Sequence, residues 1–182
     1  PLWDNRPTRI NAEIETRTWI EDRVGEIKWG DLNDFLDLRK ELIKKDESIE
    51  WDIGKLRKEI FKEKLKHIRP ASLRNQIVND AFEIFIDKRH LIKLYDGVED
   101  SLKILSKKYE LGVLTNGNAD IYKFEIGRYF KFSISSLEAK DNKPNRSHFD
   151  EASKKLEGIK FDEMLHIGDH QINDIIGANN LG

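Results

Sequence analysis

From about residue 90 onward, short apolar runs and amphipathic stretches take turns. Leu111-Gly112-Val113-Leu114, Phe132-Ser133-Ile134-Ser135 and Met164-Leu165-His166-Ile167 each have the length of a buried strand. Val98–Lys108, Ala119–Tyr129 and Ser147–Glu157 have helical spacing. Strands that alternate with helices of about ten residues imply a parallel sheet with right-handed crossovers. The segment 8–88 reads differently, as four helices with no strand signal. The expected layout is therefore a start of the core at 1–7, an all-helical insert at 8–88 and an α/β part at 89–182.

In the insert, Thr8 is the expected helix cap, and Ile10, Ile14, Ile20 and Val24 form an apolar stripe running toward Trp29. Gly30-Asp31 breaks it. Leu32, Phe35, Leu36 and Leu38 open a second helix, Leu56, Ile60, Phe61 and Leu65 a third. Leu73, Ile77, Val78, Ala81, Phe82 and Phe85 line a fourth. Charged residues make up 36 % of the 182 positions, yet the net charge is only -2. That balance argues against nucleic acid, which needs a surplus of one sign on one face. There is no cysteine, hence no disulfide frame and no thiolate site. No apolar run approaches the roughly 20 residues of a membrane span. A soluble, cytoplasmic protein is expected. Both ends read as cut: the chain starts at Pro1 without an initiator Met and stops at Gly182 just after a helix, so a targeting segment upstream stays open.

The chemistry gathers at the ends of the runs. Thr115 closes one run and Asn116-Gly117 follows; a hydroxyl and free backbone N–H groups there can hold phosphate oxygens, while the same residues also make an ordinary Asn-Gly turn. Lys143 precedes Pro144, which restricts its backbone, and its cation can neutralise a phosphate and a neighbouring acid; Lys140 is a rival. Gly168-Asp169 ends the last run, and Asp174 follows five positions on, opening a helix-like segment from Ile175. Such acids at the tip of a parallel strand sit where open α/β sheets bind ligands, and oxygen donors suit Mg²⁺. Asp169 is placed to ligate the metal; Asp174 would ligate directly, through water, or instead pair with Lys143. His166 is expected buried and hydrogen-bonded, and the remaining histidines, His148 among them, lack metal-ligand spacing.

A run ending in Thr, then Lys-Pro, then Gly-Asp-x-x-x-x-Asp, in that order, resembles the haloacid dehalogenase (HAD) superfamily. The resemblance runs from about Leu91 to Gly182 through LYDGVEDSLKIL, LGVLTNGNAD, NKPNRSHFDEA and LHIGDHQINDIIGANNLG. It implies a Rossmann-like parallel sheet with a small helical cap. LWDNRP with TNGNAD is similar to the branch of flavin-pathway phosphatases, which implies FMN or a riboflavin precursor, 5-amino-6-(5-phospho-D-ribitylamino)uracil, as substrate. The family's first motif, an apolar strand ending Asp-x-Asp that carries the nucleophile and the acid/base, is not in these residues. The resemblance places it just upstream of LWDNRP, in mid-sheet, between the runs ending at Thr115 and Ile167. Those two are then expected about 9–10 Å apart, two strand spacings, and the chain by itself inactive, unstable or partnered.

For the intact protein the resemblance implies a Mg²⁺-dependent phosphatase of small phosphorylated metabolites working through an aspartyl-phosphate. Thr115, Asn116 and Lys143 would bind the phosphoryl group, with Thr115 and Lys143 catalytic, and Asp169 and Asp174 would serve the metal. Trp19, Trp29 and Trp51 are expected in the cap core rather than on substrate. The competing readings are a metal-free haloacid dehalogenase of the same fold and a non-catalytic pseudoenzyme.

Overall fold

A computed structural model describes residues 2–181. The chain divides into two compact units, Asn5–Ile92 and Pro1–Asp4 with Lys93–Gly182.

The helical unit contains α1 (Asn5–Val24), α2 (Leu32–Lys45), α3 (Ile53–Lys64) and α4 (Ala71–Arg89). Here the sequence reading needs correction. Thr8 does not cap α1; the helix starts at Asn5, and Thr8 is buried inside it, its hydroxyl donating to the Leu91 carbonyl at 3.4 Å. The inward stripe is Thr8, Ala12, Thr16 and Ile20, whereas Ile10 and Ile14 are 53 % and 57 % exposed. Small residues at i, i+4 spacing let α1 lie close against α4, which presents Ile77, Val78, Ala81 and Phe85. Hydrophobicity alone picked the wrong face because bulk would have kept the helices apart. α1 also stops earlier than expected, at Val24, where Gly25 takes φ +86°. In α2 the expected leading residues Leu32, Phe35 and Leu36 are exposed and Leu42 is buried. Asp31 caps α2 through a capping box with Asp34. Trp19 and Trp29 pack against the core around Ile20, Phe61 and Leu65.

In the other unit, β1 (Gly112–Thr115) and β2 (Phe132–Ser135) pair in parallel, Gly112 opposite Phe132 and Thr115 opposite Ser135. A Cβ on Gly112 would lie 2.2 Å from the Phe132 ring, so the ring occupies the space a side chain would need. α5 (Val98–Leu105) precedes β1; α6 (Ser136–Ala139) and α7 (Ser147–Lys155) follow β2. An antiparallel bridge joins Trp3 to Leu94. The helix expected at Ala119–Tyr129 is instead two 3₁₀ turns, Ile121–Lys123 and Glu125–Tyr129, separated by extended Phe124. A Cβ at Gly127 would meet the Ile121 carbonyl at 2.6 Å; the two turns close that tightly only on glycine.

The largest departure concerns Met164–Ile167, expected as a strand. Among the described residues it pairs with none, and Leu165 and Ile167 are 86 % and 70 % exposed. An extended run becomes a strand only when a neighbour accepts and donates its backbone hydrogen bonds. After it comes a π-helical turn, Gln171–Ile176, leading into α8 (Gly177–Asn179). Asp174 thus lies within a helical segment that starts four residues ahead of the expected Ile175.

Candidate active site

Lys143 ties three pieces of this unit together. It is 7 % exposed, unusual for a lysine, and its surroundings explain how the charge is tolerated. Nζ donates to the Leu114 carbonyl of β1 at 2.9 Å and to Asp174 Oδ1 at 2.6 Å. An ammonium has three N–H groups, so one remains for a further acceptor. Its backbone is held as firmly: the Lys143 N–H donates to Asn116 Oδ1 and the Asn116 amide donates to the Lys143 carbonyl, both at 2.8 Å. The Lys143–Pro144 peptide is cis. Lys140, the rival cation, instead takes a left-handed backbone at the end of α6.

Asp174 is the counter-ion. Its Oδ1 takes Lys143 and His166 Nε2, the latter at 3.0 Å, and Oδ2 takes the His170 N–H at 3.1 Å. Burial pushes its carboxyl up, but the hydrogen bonds from Lys143, His166 and His170 together with the Lys143 charge outweigh it and hold Asp174 well below the ordinary carboxylate range. Gly168 makes the approach possible, since a Cβ there would lie 2.2 Å from Asp174 Cγ. His166 is also set edge-on to Phe149, ring centroids 5.2 Å apart.

Thr115 ends β1 half-buried. Its Oγ1 accepts the Gly117 N–H at 2.9 Å, which leaves the hydroxyl proton to be donated. The carbonyl of Leu114 points to the Lys143 edge of β1. Carbonyls alternate along a strand, so that of Thr115 points the other way, and the Asn116 N–H, antiparallel to it across the planar peptide, faces the Lys143 edge. The Asn116 N–H and Lys143 Nζ thus lie on one edge of the strand tip, and the Thr115 hydroxyl is a further donor at the same tip. Lys143, Asp174, Thr115 and Asn116 belong to one connected network.

Asp169 is exposed and forms no ion pair among the described residues, and no group of three described His, Asp or Glu side chains is placed to hold a metal. Three side-chain roles are not visible in the sequence. The Asn116 side chain serves to clamp Lys143, and Ser136, fully buried at the start of α6, donates to Asn142 at 2.7 Å beside that clamp. His148 lacks metal-ligand spacing, yet it is wholly buried with Nε2 3.1 Å from the Thr115 carbonyl. None of these roles leaves a trace in spacing.

The chain as a whole is similar to known proteins. A family model for haloacid dehalogenase-like hydrolases matches residues 33–182. The 5-amino-6-(5-phospho-D-ribitylamino)uracil phosphatase YigB of Escherichia coli (strain K12) is 29% identical over 182 residues, all of this chain and 76% of that protein. The glyceraldehyde 3-phosphate phosphatase of Methanopyrus kandleri is 30% identical over 92 residues, 48% of this chain and 39% of that protein. Among solved structures, a 2-haloacid dehalogenase from Pseudomonas syringae pv. Tomato DC3000 is similar with a TM-score of 0.92 and 29% identity, over 100% of this chain and 79% of that one.

Proposed function

Because the chain belongs to the haloacid dehalogenase-like hydrolases, we propose that it is the phosphoryl-binding part of a phosphatase of small phosphorylated metabolites, with the nucleophilic aspartate supplied from upstream. One observation carries the reading: Lys143 Nζ, buried, joins the tip of β1 to Asp174 and, among the described residues, keeps an N–H unspent. A site for a phosphate dianion needs such a fixed cation beside neutral donors.

Each residue has a task. Thr115 and the Asn116 N–H donate to the non-bridging oxygens of the transferred group. Lys143 neutralises them, and Asp174 keeps Lys143 in place rather than meeting substrate. The upstream aspartate attacks phosphorus, the ester oxygen leaves with a proton from the second upstream aspartate, and water then cleaves the aspartyl-phosphate. Asp169 is an open carboxylate suited to Mg²⁺, and Asp174, its oxygens already engaged, suits it through water. That fits a cation which takes one or two carboxylates and keeps several waters. When bound, Mg²⁺ screens carboxylate from phosphate. The similarity to the 5-amino-6-(5-phospho-D-ribitylamino)uracil phosphatase supports that riboflavin precursor as substrate, FMN being the alternative that the sequence resemblance implies, with the helical unit as the selective cap.

The similarity to a 2-haloacid dehalogenase favours a second reading, metal-free attack on a halogenated carbon. The test uses the protein extended upstream through its Asp-x-Asp strand. Against a panel of phosphomonoesters and 2-haloacids, release of phosphate that stops with EDTA is expected. Halide release that survives EDTA would establish the second reading instead, and turnover of neither class would end both.

A further inference from the structure

Among the described residues His148 is the least exposed ionisable group, with 0 % exposure in the first turn of α7. Its Nε2 lies 3.1 Å from the Thr115 carbonyl, and its Nδ1 has no hydrogen-bond partner among the described residues. A carbonyl oxygen only accepts, so Nε2 carries the proton. A second proton on Nδ1 would place a charge and an orphaned donor in the interior, which is costly. The ring is therefore neutral, and burial, together with the nearby Lys143 charge, depresses its basicity in the same sense.

The Thr115 carbonyl and the Asn116 N–H share one peptide plane and point in opposite directions. Drawing the carbonyl inward necessarily aims the N–H outward, toward the edge of β1 where Lys143 lies. We infer that His148, in its Nε2–H form, is a positioning residue that orients the Thr115–Asn116 peptide so that its N–H is preset for an oxyanion. α7 thus does more than cover the sheet: it sets the direction of one phosphate donor. The inference rests on the phosphoryl-binding role of that N–H, and its test separates the two.

In the upstream-extended protein, ¹⁵N spectra of the imidazole at neutral pH should show a protonated Nε2 and an unprotonated Nδ1. His148→Gln keeps a donor at the Nε2 position; His148→Leu removes it. Misplacing a catalytic contact by about 1 Å can cost about 10²-fold in rate. His148→Leu should therefore lower kcat on p-nitrophenyl phosphate about 10²-fold and shift the Asn116 amide resonance, and His148→Gln should restore most of both. Thermal unfolding of both variants monitors folding. The inference fails if His148 is in the Nδ1–H form, if His148→Leu leaves the Asn116 amide unmoved, or if both variants lose activity equally. A wild-type protein that turns over no ester would end the phosphatase reading alone, because the amide shift reports on the peptide without substrate.

Discussion

Two apolar runs of like length and composition meet different fates in this chain. Gly112–Thr115 lies beside Phe132–Ser135 in a parallel ladder, and across it Ile134 is only 1 % exposed. Among the described residues Met164–Ile167 has no ladder, and Leu165 and Ile167 stand mostly in solvent. The sequence marks both as strands, so the difference lies in partnership rather than propensity. Even so, the two regions stay linked, because Lys143 takes the Leu114 carbonyl from one and Asp174 from the segment after the other. The tip of β1 is held by a buried ion pair even though, among the described residues, the run ahead of Asp174 is unpaired.

The strongest way to break this contrast is to offer Met164–Ile167 a neighbour. Full burial of a Leu or Ile side chain contributes roughly 1.5–3 kcal/mol. Extending the chain upstream through the family's first strand should therefore raise the urea unfolding free energy by several kcal/mol; an unchanged midpoint would mean that the run is not a strand in waiting. Removing the link comes next. Lys143→Met leaves Asp174 without its main counter-charge and should cost about 3–5 kcal/mol, along with about 10²–10³ in turnover of the extended protein. Ile134→Ala should cost about 2–5 kcal/mol. Gly168→Ala, which forces a Cβ against Asp174, should cost about 1–3 kcal/mol. Leu165→Ala in the 182-residue chain should change stability by less than about 0.5 kcal/mol; a loss like that of Ile134→Ala would show that the run is packed after all.

Acid should act on the linked region. His148 and Asp174 both hold fewer protons folded than unfolded. Each therefore contributes stability that is complete above its unfolded value and lost as pH falls through the folded one. Urea midpoints should be level above neutrality, decline as pH drops below the ordinary 6.5 of histidine, and decline again below the ordinary 3.8 of aspartate. A midpoint that rises on acidification would contradict the geometry at both groups.

Much of the α/β order and the pairing of Lys143 with Asp174, as one of three roles for that acid, were legible in the sequence. Tip residues are fixed by the chain's own turns, and Gly168 leaves space that the acid fills. What escaped depends on neighbours. Ile10 and Ile14 look like a core face until α4 comes too close for them, and Thr8, Ala12 and Thr16 fit instead. The two 3₁₀ turns at 121–129 replace a helix because Gly127 lets the backbone fold back on Ile121. Asn116 and His148 hold backbone atoms, and a bond to a carbonyl or an N–H places no demand on the sequence at the other end.

The most direct test is a crystal structure of the upstream-extended protein with tungstate, a phosphate mimic. The account predicts the anion within about 3 Å of Thr115 Oγ1, the Asn116 N and Lys143 Nζ together. An anion bound elsewhere, with Lys143 still spent on Leu114 and Asp174 alone, would contradict it.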